Sequence, residues 1–187
     1  MVRLWRAMAL LVGVASVCGC AAAGSTVAEQ RAATVSMRTE VLTELYAQKA
    51  SARSEIAAAP GYAVFSNANI NVVLASVGGG YGIVRDNGSG VDTYMRMGEV
   101  GVGLGAGVKD TRLVFVFHDR DALTDFVENG WSVGANADAA AKASDKGGAV
   151  GAEALVDRVT IYQLTKSGLA LQATVKGTRY WRDDRLN

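Results

Sequence analysis

Residues 100–117 read VGVGLGAGVKDTRLVFVF, and this stretch decides the class of fold. Aliphatic residues alternate with glycine over residues 100–108, so a strand here would bury aliphatic side chains on one face and leave bare backbone on the other. We expect another element to pack closely on that glycine face. Residues 113–117 form a near-continuous apolar run, which is typical of a strand buried on both sides.

Alternation of apolar and polar residues continues on both sides of this stretch. The segment Asp86-Asn87-Gly88-Ser89-Gly90 is typical of a hairpin turn, and hairpins join antiparallel strands. Further strands are predicted at residues 62–66, 71–76, 81–85, 91–97, 159–164, 169–175 and 177–182.

Two segments have helical periodicity instead. Apolar residues recur at helical spacing from a cap at Ser25 or Thr26 to about Ala59. A second helix is predicted to begin at its cap Asp119 and to end before Gly130. The sequence thus predicts an α+β fold: a curled antiparallel β-sheet, open or closed into a barrel, with the N-terminal amphipathic helix and one further helix packed on it.

The composition limits the classes of function. The chain has 187 residues, 50% of them hydrophobic, which fits one globular domain with a packed core. Its 19 basic and 18 acidic side chains leave a formal charge of +1. A chain with nearly equal numbers of basic and acidic side chains lacks the positive field that attracts a polyanion. We therefore expect no nucleic-acid partner.

The N-terminus has the pattern of an export signal. Arg3 and Arg6 precede an apolar run at residues 7–17, which is too short to span a bilayer. The segment Val17-Cys18-Gly19-Cys20 resembles the lipobox of bacterial lipoproteins, with Cys20 as the acylated residue. The alternative, a disulfide or metal pair of Cys18 and Cys20, finds no support in a chain without a later cysteine.

This lipobox resemblance implies a division of the chain. Residues 1–19 would be a lipoprotein signal peptide, residues 20–26 a short tether and residues 27–187 a single domain. The protein would be lipid-anchored in the bacterial cell envelope. Ala21, rather than aspartate, follows the cysteine, which favours the outer membrane with the domain facing the periplasm.

Several segments, in order along the chain, resemble the SYLF domain, a family of lipid-binding and actin-binding modules. They are AAPGYAVF at residues 58–65, GVGLGAG at 101–107, VFVF at 114–117, ALTDF at 122–126, WSVGANAD at 131–138 and TKSGL at 165–169. The resemblance covers nearly all of the chain from about residue 35 and is best to bacterial exported members. Eukaryotic members bind phosphoinositides and, in fungi, actin, which implies a lipid or protein partner for this chain.

Candidates for catalysis are few. His118 is the only histidine, and the sequence identifies no nucleophile placed beside it. One histidine and no free cysteine in the mature domain predict no metal site. Gly101-x-Gly103-x-x-Ala106 formally matches a dinucleotide fingerprint, but a strand is predicted after it where that motif requires a helix. We therefore expect a protein that is not an enzyme and that needs no small-molecule cofactor.

A cluster of basic residues near the C-terminus is the candidate site for a lipid headgroup. Tyr180 and Trp181 within it are amphipathic side chains favoured at membrane interfaces. Basic residues near an anionic surface contribute about 1 kcal/mol each at most, so the cluster would assist an acyl anchor rather than replace it. The alternative is a solvated strand with ordinary salt bridges. The predicted headgroup residues are Lys166, Lys176, Arg179, Trp181, Arg182 and Arg185.

These patterns predict a membrane-anchored envelope lipoprotein that binds acidic membrane phospholipid without catalysis. The alternative is a structural or protein-interaction module related to the actin-binding members. In that case the glycine face, or the low-complexity loop predicted at residues 134–154, would receive an envelope protein partner.

Overall fold

The computed structural model describes residues 22–72, 75–101, 107–133, 153–156, 158–165, 168–169 and 176–187. The predicted signal peptide and Cys20 lie outside these ranges, as do residues 134–152 of the predicted loop. Within the described ranges, every helix is too short or too polar to cross a membrane.

These residues form three helices and nine strands. The helices are α1 (Val27–Gln48), α2 (Ser51–Ala58) and α3 (Arg120–Asn129). The strands are β1 (Gly61–Val72), β2 (Ala75–Asp86), β3 (Asp92–Gly101), β4 (Gly107–Phe117), β5 (Trp131–Val133), β6 (Glu153–Val156), β7 (Val159–Thr165), β8 (Gly168–Leu169) and β9 (Lys176–Arg182). All nine strands belong to one antiparallel sheet in the order β5-β9-β3-β2-β1-β4-β7-β6, with β8 paired to β7. The predicted α+β fold is confirmed.

The sheet is curled. Phe115 on β4 and Tyr180 on β9 have ring centroids 5.3 Å apart, although three strands lie between β4 and β9. In a flat sheet those two strands would be about 19 Å apart. No ladder joins the edge strands β5 and β6 in the described residues, so the curled sheet is open there rather than closed into a barrel.

The concave inner face holds an aromatic core covered by α3. Leu123 of α3 also packs into this core. In the middle of β2 this face carries glycines instead of side chains, and a Cβ atom at Gly80 would lie only 2.9 Å from Cγ of Met97. Bare backbone in the middle of the sheet lets side chains from both flanks converge, which permits the curl. The aromatic residues are Phe65, Phe115, Phe117, Phe126, Trp131 and Tyr180.

The convex outer face is covered in part by α1 and α2. Their buried stripe packs on alternate residues of β1, β4 and β7. β4 is therefore buried on both sides, since Val114 and Val116 face the helices whereas Phe115 and Phe117 face the aromatic core. The prediction of a doubly buried strand at residues 113–117 is confirmed, although Leu113 at its start is only partly buried. The helix residues of this outer core are Met37, Val41, Leu45, Ala52 and Ile56.

The predicted N-terminal helix is in fact two helices. Its cap is Thr26 as predicted: Oγ1 accepts from the N–H of Glu29, and the Glu29 carboxylate accepts from the N–H of Thr26. The helix breaks at Lys49, whose backbone leaves the helical region. Lys49 has already reached β7 at this point, because its Nζ lies 5.0 Å from the ring centroid of Tyr162. The break keeps α2 on the sheet, and no glycine or proline marks it in the sequence.

Two predicted strand boundaries are wrong. Residues 71–76 do not form a strand of their own, because β1 runs to Val72 and β2 starts at Ala75. β2 includes the glycines at 78–80, since backbone pairing with β1 and β3 on both sides compensates for their low strand propensity. The run at residues 100–108 is not one strand either: β3 ends at Gly101, β4 begins at Gly107, and residues 102–106 lie outside the described ranges.

The predicted hairpin turn and second helix are confirmed. Oδ1 of Asp86 accepts from the N–H of Gly88 at 2.8 Å, and the turn joins β2 to β3. Asp119 caps α3 by accepting from the N–H groups of Asp121 and Ala122. Gly130 ends α3 with φ of +70°, where a Cβ atom would also collide with the backbone of Tyr180.

Candidate functional site

Strand β9 carries four of the predicted headgroup residues, and its alternation divides Arg179, Trp181 and Arg182 between the faces of the sheet. Tyr180 points into the inner core, so Arg179 and Trp181 belong to the outer face. By the same alternation, Arg182 belongs to the face of Tyr180. Arg179, Trp181 and Arg182 are all exposed. The structure thus brings Arg179 and Trp181 together and separates Arg182 from them.

The remaining predicted headgroup residues have different surroundings. Arg185 contacts the buried Asp183, with Nε 3.4 Å from Oδ1. Nε of Arg96 lies 3.6 Å from the other oxygen of Asp183. The negative charge of this carboxylate is therefore shared between Arg185 and Arg96. Lys176 begins β9, but its side chain lies outside the described parts of the structure, as does all of Lys166.

Arg179 is a cation on a bare part of the sheet. Its cross-strand partner on β3 is Gly98, which offers it no side chain. Among the described residues, no carboxylate forms a salt bridge with Arg179. Trp181 also uses this space, because a Cβ atom at Gly98 would lie 3.2 Å from Cη2 of the indole. Gly98 therefore leaves room for an aromatic ring and a cation side by side.

Two exposed valines extend this surface. Val77 on β2 and Val100 on β3 are directly opposite each other in the ladder, and they are 61% and 63% exposed. Together with Trp181, which is 39% exposed, we call them the outer apolar patch. The sequence analysis missed it, because the alternation with glycine predicted that Val100 would be buried. The length of the predicted helix is the one signal that could have revealed it. α1 and α2 pack on β1, β4 and β7, and they do not extend over the ends of β2 and β3 that carry the two valines.

His118 lies in a polar network between α2 and the end of β4. Its Nε2 is 2.7 Å from Oγ1 of Thr160 and 3.4 Å from a carboxylate oxygen of Glu55. The Tyr162 hydroxyl donates to the other oxygen of Glu55. In a catalytic triad the acid holds one ring nitrogen while the other accepts the proton of the nucleophile. In this protein the Thr160 hydroxyl and the Glu55 carboxylate both approach the same nitrogen, Nε2, and Thr160 is buried. The network is therefore structural, and it links α2 to the sheet.

Two open grooves flank α3. The larger, of about 340 Å³, has a floor that includes Phe117, Phe126 and Trp131. Asp121 and Asp125 lie at its rim. The smaller, of about 270 Å³, lies between α3 and the β2–β3 hairpin. The carboxylates that line the grooves are exposed, except that of Asp86, which is bound by Arg120 and by the backbone of its own turn.

A buried polar pair lies on the inner face beside the aromatic core. Nδ2 of Asn67 donates to Oε2 of Glu99 at 2.9 Å, and the two side chains meet across the glycines of β2. Burial raises the pKa of the Tyr180 phenol well above its usual range, and the nearby charge of Glu99 raises it further. Tyr180 therefore stays neutral at physiological pH.

Comparison with known proteins agrees with the resemblance noted in the sequence. A family model described as "Ysc84: Las17-binding protein actin regulator" matches residues 98–187, which include β9 and α3. The chain is also similar to beta cell expansion factor A of Aeromonas veronii, with 30% identity over 168 residues. That alignment covers 86% of this chain and 60% of the relative, so this chain spans about three fifths of that protein's length. Members of the Ysc84 family are lipid- or actin-binding modules that are generally not catalytic. Residues 98–187 of this chain match the Ysc84 (SYLF) family, the same family that the sequence resembles.

Proposed function

We propose that this protein is a lipoprotein of the bacterial envelope, acylated at Cys20, whose domain binds acidic phospholipid without catalysis. The observation that carries the proposal is the pair Arg179 and Trp181, exposed side by side on the outer face of β9. A cation without a described acidic neighbour complements a phosphate, and an exposed indole prefers the headgroup region.

The anchor supplies most of the membrane affinity in this proposal. Acyl chains contribute about 0.8 kcal/mol per buried CH₂ group, whereas a basic residue contributes about 1 kcal/mol at an anionic surface. The role of Arg179 is therefore to select the lipid that lies against the domain. Ala21 next to Cys20 favours the outer membrane, with the domain in the periplasm.

The acyl anchor would hide this selection, so we test the mature chain from residue 20 with the substitution Cys20→Ser. Binding is measured by co-sedimentation with vesicles of phosphatidylcholine, alone or with 30% phosphatidylglycerol. Arg179→Glu should weaken binding to the anionic vesicles about tenfold or more, because two charge units change at the surface. The matched control is Arg53→Glu, which makes the same charge change at an exposed site on α2. Equal loss in both variants, or no preference for anionic vesicles, would remove the headgroup site.

The anchor itself is tested separately. Mass spectrometry of the native protein should find an acylated Cys20 at the mature N-terminus. Recovery of a freely soluble protein with an unmodified thiol would exclude the lipoprotein role.

A protein-interaction module is the second candidate, favoured by the description of the family as Las17-binding. Cross-linking in envelope extracts distinguishes the two. One stoichiometric protein partner, together with no preference among vesicles, would favour this candidate over phospholipid binding.

A further inference from the structure

The outer apolar patch lies on a part of the outer face that the described helices leave open. Contacts of α1 with β3 are at the start of that strand: Nη1 of Arg38 lies 2.8 Å from Asp92, and the guanidinium of Arg31 lies over the Tyr94 ring. Val100 is near the other end of the same strand. Two adjacent valines that are more than half exposed on a sheet face are apolar surface without a cover among the described residues.

The side chains beside the patch are arranged in rows along β3 and β9. On the outer face, Val100 is opposite Gly177, Gly98 is opposite Arg179, and Arg96 is opposite Trp181. Along the strands, the row with Val100 is thus followed by the row with Arg179 and then by the row with Trp181. These three rows span about 13 Å. Aliphatic groups favour the acyl region, whereas arginine and tryptophan favour the headgroup region, so this order fits the edge of a bilayer.

The N-terminus of α1 lies on the same outer face as the patch, at the opposite end of β3. Nε of Arg31 donates to the C=O of Leu186 at 2.8 Å, close after the end of β9, and its guanidinium lies 5.7 Å from the Tyr94 ring centroid. Tyr94 shares the outer face of β3 with Val100. Thr26 follows Cys20 by six residues, and Ala22 between them is already buried, so the tether is shorter than about 20 Å. An acylated Cys20 would therefore hold the β3–β9 side of the domain near the membrane.

We propose that the outer apolar patch inserts shallowly into the bilayer that carries the Cys20 anchor, with Arg179 at the level of the phosphates. This inference rests on the proposed function and adds the orientation of the domain: the β3–β9 side faces the membrane and α3 faces away. A bilayer fits the patch better than a protein does. A standard protein interface buries about 800 Å² on each partner, far more than three side chains expose, whereas an anchored domain needs only shallow insertion.

Trp181 reports the insertion directly. In the full acylated protein, Trp131→Phe leaves Trp181 as the only tryptophan after residue 5, which lies in the predicted signal peptide. On vesicles with 30% phosphatidylglycerol, Trp181 emission should shift to the blue and be quenched by brominated acyl chains. The orientation would be overturned if Trp181 emission on vesicles equals that of the mature Cys20→Ser chain with Trp131→Phe in buffer and brominated acyl chains do not quench it.

The valines are tested in the mature Cys20→Ser chain. Val77→Ser with Val100→Ser should weaken binding to the same vesicles on the order of tenfold, since apolar surface no longer leaves water. The matched control is Val91→Ser, because Val91 is 58% exposed at the other end of the β2–β3 pair. Thermal unfolding of each variant confirms that the fold is retained.

The outcomes separate the two proposals. If the double variant binds vesicles as well as the Val91→Ser control while Arg179→Glu still weakens binding, the insertion is wrong and the headgroup site stands. If no form of the chain binds vesicles and Cys20 is unmodified, both proposals fail. Loss of a protein partner by the double variant, with vesicle binding unchanged, would assign the patch to that partner instead.

Discussion

The ring of Phe65 lies against the backbone of Gly82, its partner on the neighbouring strand. A Cβ atom at Gly82 would lie only 2.3 Å from Cδ1 of this ring and 2.5 Å from the carbonyl oxygen of Val64. Because Gly82 has no side chain, the Phe65 ring can lie over β2 and contact Tyr180 on β9. The two ring centroids are 4.9 Å apart. This contact closes the aromatic core and sets the curl of the sheet.

The first prediction concerns this contact. Gly82→Ala should lower the free energy of unfolding by about 1–3 kcal/mol, because both Phe65 and the backbone of β1 must shift. Gly177→Ala is the control, since the nearest cross-strand atom among the described residues, the carbonyl oxygen of Val100, would lie 3.7 Å from its new Cβ atom. Chemical denaturation measures both variants. Equal stability of the two would show that the curl does not depend on Gly82.

The second prediction concerns the start of α3. Asp119 accepts from two backbone N–H groups and also pairs with Arg158 at 2.7 Å. Asp119→Ala should cost about 1 kcal/mol of stability, because the cap is lost. Asp119→Asn keeps the cap and loses only an exposed ion pair, so it should cost less. The same loss in both variants would attribute the stability to the ion pair.

The third prediction concerns acid stability. The hydrogen bond from Arg120 is the main cause that lowers the pKa of Asp86 from 3.8 to about 2. Since a lowered folded-state pKa stabilises the charged form, this contribution is present above pH 3.8 and disappears as the pH falls through 2. Arg120→Ala should raise the pKa of Asp86 towards 3.8 and reduce the loss of stability over this interval.

A carboxyl NMR titration measures the pKa of Asp86 in that variant. Arg158→Ala is the control, because Arg158 pairs with Asp119 and not with Asp86. An Asp86 pKa that stays near 2 in the Arg120→Ala protein would contradict the assignment of the cause.

The fourth prediction concerns His118. His118→Ala should leave vesicle binding unchanged and cost about 0.5–1.5 kcal/mol of stability, because the buried Thr160 hydroxyl loses a hydrogen-bond partner. Vesicle co-sedimentation and thermal unfolding measure the two effects. A hydrolytic activity that disappears in this variant would instead revive an enzymatic role for His118.

Local chemistry was sufficient to predict several elements. The sequence limits the first cap to Ser25 or Thr26 and identifies Asp119 as the second, because a side-chain oxygen satisfies the free N–H groups of the first helical turn, which depends only on neighbouring residues. The turn at residues 86–90 was recognised for a similar reason, since Asp86 bonds to the backbone just after it. The break at Lys49 was missed because it depends on where α1 meets β7.

The candidate site was predicted only in part. Arg179 and Trp181 were named from the sequence, and the structure places them on one face of β9. Arg182 was named with them, but one further step along a strand turns a side chain to the opposite face. Whether Lys166, Lys176 and Cys20 take the predicted roles stays a prediction, because their side chains lie outside the described residues.

The amino-acid sequence alone determined the antiparallel α+β class, the caps and the main turn, because hydrophobic periodicity and capping act over a few residues. Only the tertiary structure decided which aliphatic residues stay exposed. Val100 has the same side chain and the same strand periodicity as buried valines elsewhere in the sheet. It remains accessible because α1 and α2 cover the outer face elsewhere, and that depends on the curl of the whole sheet.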